Sequence, residues 1–330
     1  FENREAGIIL AGTFTRPEQG GPFPAAILVH GSGSFDRDET IQGHKPFLVM
    51  ADHLTKRGFA VLRYDKRGVG KSQGERGATT AELATDALAA LEYLRTRPDV
   101  RKDRIGMIGH SEGGVIAPMC AARVEGLAFL VLLAGPALPG RDVVLGQLEA
   151  FARADGTPEE EIRQNLAFNR RVLDILASPA GADEAMAQMH DLLEKDPYVK
   201  NGEARHDPGF EKDAVEANLR AMLKPAYRAW VRLDPRVFLE KVTVPLLALN
   251  GGKDLWVDPK RNLPGIETCL HKAGNRSFRV LELPGLNHAF QHAKTGTPAE
   301  IGTIEETISP EVLDLIADWI ARVLDAGSSG

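Results

Sequence analysis

The chain has 330 residues, a formal net charge of −6, and 26% charged and 6% aromatic residues. That is the composition of an ordinary soluble globular protein, and its negative balance argues against nucleic acid or an anionic membrane as partner. The length suits one large α/β domain with an insertion, or two domains, and a chain of this size buries roughly three quarters of its unfolded surface without disulfide or metal staples.

Cys120 and Cys269 are too few and too far apart for a disulfide framework and read as buried thiols. The longest apolar run, residues 127–138, is too short to span a bilayer and contains Gly135 and Pro136. No signal peptide is visible. The chain opens on Phe1 rather than Met, which leaves open a cytoplasmic protein or one exported after loss of an N-terminal leader.

In chain order, residues 7–15 alternate loosely and predict an edge hairpin strand. Residues 25–29 ("AAILV") form a short continuous apolar strand bounded by Pro24 and His30-Gly31. Helical spacing runs from Pro46 to Lys56 and stops at Gly58; 59–64 reads as a strand. Thr79-Thr80-Ala81-Glu82 is a capping box ahead of a helical face made by Leu83, Ala87, Leu91 and Leu94. Further strands are predicted at 105–108, 127–133, 245–249 and 277–283, and Ser309-Pro310 opens a final helix. Continuous apolar strands separated by helices imply a parallel sheet covered on both faces.

The alternation breaks at 137–240, where charged amphipathic helices start near Thr157-Pro158 and Ala182. The expected organisation is a core in two parts, 1–136 and 241–330, with 137–240 as a helical cap insertion. The last four residues, Gly327-Ser328-Ser329-Gly330, read as a flexible tail.

The segment "RIGMIGHSEGGVIAPM" collects three glycines around Ser111, directly after a predicted strand and before a buried helix. Gly109-His110-Ser111-Glu112-Gly113 fits G-x-S-x-G, the nucleophile elbow, in which a strand turns sharply into a helix with the serine at the tip. Residues two before and two after the serine approach closely there, which demands glycine. A glycine-rich turn with a capping serine would carry the same five residues, so the weight falls on partners elsewhere.

A serine hydroxyl needs a base, a group to orient the base, and donors for the oxyanion. On an elbow the acid and then the histidine follow in chain order, each on a loop after a strand. Asp254 in "PLLALNGGKDLWVDP" and His288 in "SFRVLELPGLNHAF" stand at those places. Asp258 shares the loop with Asp254, but it precedes Pro259 and reads as the N-cap of the next helix. For the oxyanion, His30-Gly31-Ser32-Gly33 follows an early strand; the assigned donors are the backbone N–H groups of Ser32 and Glu112, with Gly33 as substitute for Ser32.

At this point "HGSGSFDRDET", "LRYDKRGVGKS", "GHSEGG", "LNGGKDLWVDP" and "LPGLNHAFQ" together resemble the α/β-hydrolase superfamily, and within it bacterial serine carboxylesterases with a helical cap. The resemblance spans nearly all of the core and is weaker over the insertion. It implies an α/β-hydrolase fold with a mostly parallel central sheet, ester hydrolysis through a Ser-His-Asp triad of Ser111, His288 and Asp254, and no cofactor. The chain carries His30-Gly31-Ser32-Gly33 where lipase relatives have a longer glycine run.

A small-molecule ester of short-to-medium acyl length is the expected substrate. Phe151, Phe168, Tyr227 and Trp230 are candidates for an apolar pocket wall, and each would equally serve as core of the insertion. "RGVGKS" lacks the first glycine of a phosphate loop, that position being Asp65; Asp65 and Arg67 are expected instead to pair with each other and brace a loop beside the site. The nine histidines show no H-x-x-x-H spacing, and no metal site is expected. A serine peptidase of aminopeptidase type and a non-catalytic binding protein are the competing functions, and dehalogenase chemistry would require a carboxylate at position 111.

Overall fold

The computed structural model describes residues 1–200 and 212–326; the predicted tail at 327–330 lies outside them. The chain divides into two compact units, one formed by Phe1–Leu138 with Pro235–Gly330, the other by Pro139–Asp234. The sequence had placed these joints at 137 and 240.

The first unit is built on nine strands: β1 (Glu2–Asn3), β2 (Ile8–Ile9), β3 (Gly12–Thr15), β4 (Phe23–Val29), β5 (Ala60–Tyr64), β6 (Val100–His110), β7 (Leu130–Leu133), β8 (Leu246–Gly251) and β9 (Phe278–Leu283). β1 and β2 form a small antiparallel hairpin, and the other seven make one sheet in the order β3-β5-β4-β6-β7-β8-β9. Only the edge strand β3 runs antiparallel, against β5; the remaining neighbours are parallel. The predicted hairpin strand at 7–15 is thus split between β2 and β3. β4 starts two residues earlier than expected and includes Pro24, which sits where the register with β6 shifts. A residue without an N–H is tolerated at such an irregularity.

The helices of this unit are α1 (Pro46–Lys56), α2 (Thr80–Thr96) and α3 (Gly113–Ala121); those of the second unit are α4 (Gly140–Ala154), α5 (Glu159–Ala177), α6 (Ala182–Lys195), α7 (Pro197–Lys200), α8 (Lys212–Met222) and α9 (Pro225–Arg232). The first unit resumes with α10 (Arg236–Leu239), α11 (Pro259–Lys272), α12 (Pro298–Ile301) and α13 (Pro310–Ala326). Local chemistry sets several ends. Thr79 and Glu82 form the capping box of α2, and Asp258 caps α11 by accepting from the Lys260 N–H at 2.9 Å.

One face of the sheet presents Ala26, Leu28, Val61, Ile108, Val131, Leu133, Leu247 and Leu249 to Phe47, Met50 and Leu54 of α1 and Ile316, Trp319 and Ile320 of α13. The alternate strand positions, including Ile27, Leu62, Met107, Leu130 and Leu246, are buried as completely. α2, α3 and α11 contact these strands. Double-sided burial is why the strands read as unbroken apolar runs. Both cysteines are buried and neither is in a disulfide, and burial pushes the Cys120 thiol up to about 12.

The second unit has its own core, in which Leu145, Phe168, Val172, Leu173, Leu176, Met189, Tyr198, Leu219 and Val231 cluster. All its described elements are helices, as the charged amphipathic pattern predicted. No described helix of the chain is long and apolar enough to cross a membrane.

Candidate active site

β4, β6, β8 and β9 are parallel, so the loops that follow them leave the same edge of the sheet. Those loops carry Ser32, Ser111, Asp254 and His288.

Ser111 sits between the end of β6 and the start of α3 with φ at 53°, in the left-handed region that a side chain other than glycine seldom occupies. Its N–H donates to the Leu133 carbonyl at 2.8 Å, which fixes the turn against β7. The flanking glycines are forced by packing. A Cβ on Gly109 would lie 2.0 Å from the Gly113 carbonyl oxygen, and one on Gly113 would lie 2.1 Å from that of Val29. The elbow geometry expected from G-x-S-x-G is therefore present. α3 begins immediately after, so its positive N-terminal end points at the serine.

Asp254 and His288 meet: Nδ1 of His288 is 2.8 Å from Oδ2 of Asp254. The carboxylate is held on every side. Oδ1 accepts from the N–H groups of Trp256 and Val257 at 2.8 and 2.9 Å, and Oδ2 also accepts from Asn250 Nδ2 at 3.1 Å. Its side chain is fully buried. The Trp256 ring stacks on the His288 imidazole with centroids 5.2 Å apart. The His288 loop is shaped by buried Asn287, whose side-chain oxygen accepts from the N–H groups of Ala289 and Gln291 at 3.0 Å each. Among the described residues, Ser111 Oγ makes no hydrogen bond within the chain.

The loop after β4 adjoins Ser111, since a Cβ on Gly31 would come 3.1 Å from that of Ser111. Among the described residues, the N–H groups of Ser32, Gly33 and Glu112 donate to no acceptor in the chain. Gly33 has φ at 118°.

Three residues that the sequence reading passed over are packed into the same place. Glu39 is buried, with φ at 52°; its Oε1 accepts from the Gly31 N–H at 2.7 Å, and its Oε2 lies 3.1 Å from Nδ1 of His110. Nε2 of His110 lies 3.1 Å from the His288 carbonyl oxygen. Burial, the largest single influence, pushes His110 down, but Glu39, the His288 carbonyl and the Asp254 charge together outweigh it and the net shift is upward. Glu39 is held below the usual carboxylate range: burial opposes this most strongly, and His110, His30 and the Gly31 N–H together overcome it. Lys66, also buried, donates from Nζ to the Gly31 carbonyl at 2.7 Å and lies 3.6 Å from Oε2 of Glu112. Glu112 Oε1 in turn accepts from Thr80 at 2.7 Å. His110 was visible as a variable position of the motif; Glu39 was hidden in "DRDE", which reads as a solvated charge cluster.

The expected Asp65–Arg67 pair does not form. Asp65 is gripped by Arg37, with Nη2 to Oδ2 at 2.7 Å and Nε to Oδ1 at 3.0 Å, and it accepts from the Lys71 N–H at 3.0 Å. Arg67 instead reaches α2 and pairs with Asp86 at 2.8 Å. The chain turns tightly from Lys66 to Val69, whose N–H donates to the Lys66 carbonyl at 3.0 Å, and the two side chains reach different partners.

Phe168 and Tyr227 take part in the core of the second unit, and Phe151 and Trp230 are half-buried there. A cavity of about 140 Å³ in that unit is lined by Phe168, Val172, Met189, Leu193, Leu219 and Met222 among others. Among the described residues no group of three or more His, Cys, Asp or Glu side chains could hold a metal ion.

A family model described as serine aminopeptidase, S33, matches residues 44–294. Esterase EstD of Thermotoga maritima is 30% identical over 325 residues, covering 98% of this chain and 68% of that protein. Among solved structures, Est1E from Butyrivibrio proteoclasticus with ferulic acid bound aligns at a TM-score of 0.55 and 16% identity, over 98% of this chain and 97% of that one. A proline iminopeptidase of Mycobacterium smegmatis aligns at 0.53 and 17% identity, over 96% of this chain and 95% of that one. At such identities the two structures speak for the fold alone.

Proposed function

Because the chain belongs to the α/β-hydrolase superfamily, in the family described as serine aminopeptidase, S33, we propose that this hydrolase cleaves carboxylic esters through a Ser111–His288–Asp254 triad. The observation that carries the reading is the 2.8 Å contact between Asp254 and His288, made by a carboxylate whose remaining lone pairs are occupied by backbone and amide donors. An acid held this way keeps Nδ1 of the imidazole protonated and leaves Nε2 free to take the serine proton.

In the proposed reaction, Ser111 Oγ attacks the ester carbonyl while Nε2 of His288 accepts its proton. The tetrahedral oxyanion receives hydrogen bonds from the N–H groups of Ser32 and Glu112, aided by the start of α3. His288 then protonates the departing alcohol, leaving an acyl-Ser111. Water, deprotonated by the same Nε2, attacks the acyl carbon; as the acyl–Oγ bond breaks, His288 returns that proton to Ser111 Oγ, and the carboxylic acid leaves.

We assign the second unit the role of a cap that limits acyl length. The support is connectivity: the insertion leaves the core after β7, whose C-terminal end belongs to the edge bearing Ser111. Short-to-medium acyl esters are the expected substrates.

The family description favours one competing reading, an aminopeptidase. Comparing a p-nitrophenyl ester with an aminoacyl p-nitroanilide tests both: faster turnover of the ester supports the esterase, and exclusive turnover of the anilide replaces it with the peptidase. Absence of either activity, with no labelling by a fluorophosphonate, would leave a binding protein.

A further inference from the structure

The two assigned oxyanion donors come from chain segments far apart in sequence, the loop after β4 and the start of α3, and one buried side chain touches both segments. Lys66 donates to the Gly31 carbonyl at 2.7 Å, and its ammonium lies 3.6 Å from the carboxylate of Glu112. The Gly31 carbonyl and the Ser32 N–H belong to the same peptide unit. That unit is planar and trans, so its C=O and N–H point in opposite directions. Holding the carbonyl therefore aims the N–H.

Gly31 is restrained from its other side as well, because its own N–H is held by Glu39 Oε1 at 2.7 Å. The backbone N–H of Lys66 donates to the Phe35 carbonyl at 3.2 Å, which ties the base of the lysine to the same loop. A loop containing Gly31 and Gly33 would otherwise have much conformational freedom at the point where a donor must be fixed.

We propose that Lys66 is a positioning residue for the oxyanion hole: it orients the Gly31–Ser32 peptide so that the Ser32 N–H faces the developing oxyanion, and it holds the Glu112 side chain beside the second donor. The proposal rests on the esterase reading above. Lys66 touches neither substrate nor Ser111 in this scheme; it acts through the peptide it holds. Its loss should weaken binding of the transition state more than binding of the ester.

The test compares wild type with Lys66→Met and Lys66→Arg on p-nitrophenyl acetate, with rates expressed per site labelled by a fluorophosphonate so that unfolded molecules do not count. Lys66→Met should lower kcat by roughly 10²-fold, the loss typical of one oxyanion donor, with KM changed less than about threefold. Inhibition by a phenyl trifluoromethyl ketone, whose serine adduct carries the oxyanion, should weaken in parallel. Lys66→Arg, which keeps a charged donor, should recover about tenfold or more of the loss. If Lys66→Met cannot be obtained folded, Lys66→Leu, which also lacks a donor, takes its place with the same expectation. Wild-type kcat in the folded variant, or a fall in kcat with unchanged ketone inhibition, would overturn the role of Lys66. Failure of the wild type itself to turn over the ester would overturn the esterase reading, a different and separately recognisable result.

Discussion

Buried Glu39 pairs with half-buried His110, the residue before Ser111, with Oε2 of the carboxylate 3.1 Å from Nδ1 of the imidazole. The pair links three loops: Glu39 also holds the Gly31 N–H, and His110 also approaches the carbonyl of His288.

This pair should leave a signature in stability. Glu39 is lowered from 4.5, so its contribution is present above that pH and is lost as pH falls through its lower folded value. His110 is raised from 6.5, so its contribution is complete below that pH and is lost as pH rises through its higher folded value. The stability difference between wild type and a Glu39→Gln/His110→Asn double variant should therefore be widest between pH 4.5 and 6.5 and shrink on both sides. Thermal melts across a pH series would measure it, and a gap independent of pH would contradict the ionised pair.

Replacing Ser111 by alanine should reduce ester turnover on the order of 10⁶-fold, by analogy with other serine hydrolases. A fluorophosphonate should label the wild type and not the variant. Labelling that survives the substitution would remove Ser111 as nucleophile.

The two aspartates of the β8–α11 loop should separate cleanly. Asp254→Asn leaves the packing similar but favours the wrong imidazole tautomer, and turnover should fall by roughly 10⁴. Asp258→Asn alters only the cap on α11, should cost at most about 1 kcal/mol, and should leave turnover near that of wild type. Kinetics and denaturant melts on both variants decide; the opposite pattern would move the acid to Asp258.

Acyl specificity should follow the second unit. Across p-nitrophenyl esters of rising chain length, activity should peak at short-to-medium chains, and Trp230→Ala should shift the peak toward longer ones. Best activity on the longest chains, unmoved by the substitution, would show that the insertion does not set specificity.

Much of this was legible in the sequence because it is encoded over a few residues. At the elbow, Gly109 is a local demand, since a Cβ there would strike the Gly113 carbonyl four residues on, whereas Gly113 is required by the Val29 carbonyl of β4, a neighbour only in the fold. The capping box at Thr79, the Asp258 N-cap and the unbroken apolar strands are likewise short-range consequences of side-chain chemistry and burial. The order of Ser111, Asp254 and His288 after β6, β8 and β9 carried the candidate site, because parallel strands deliver their following loops to one edge.

What only the tertiary structure decided are the pairings between loops. Asp65 pairs with Arg37 and Arg67 with Asp86, not with each other, and Glu39, Lys66 and His110 converge on Gly31 and His288. No local pattern announces such contacts. A charged residue reads as solvated until the fold buries it, and only then does the cost of an unpaired buried charge dictate which distant partner it must find.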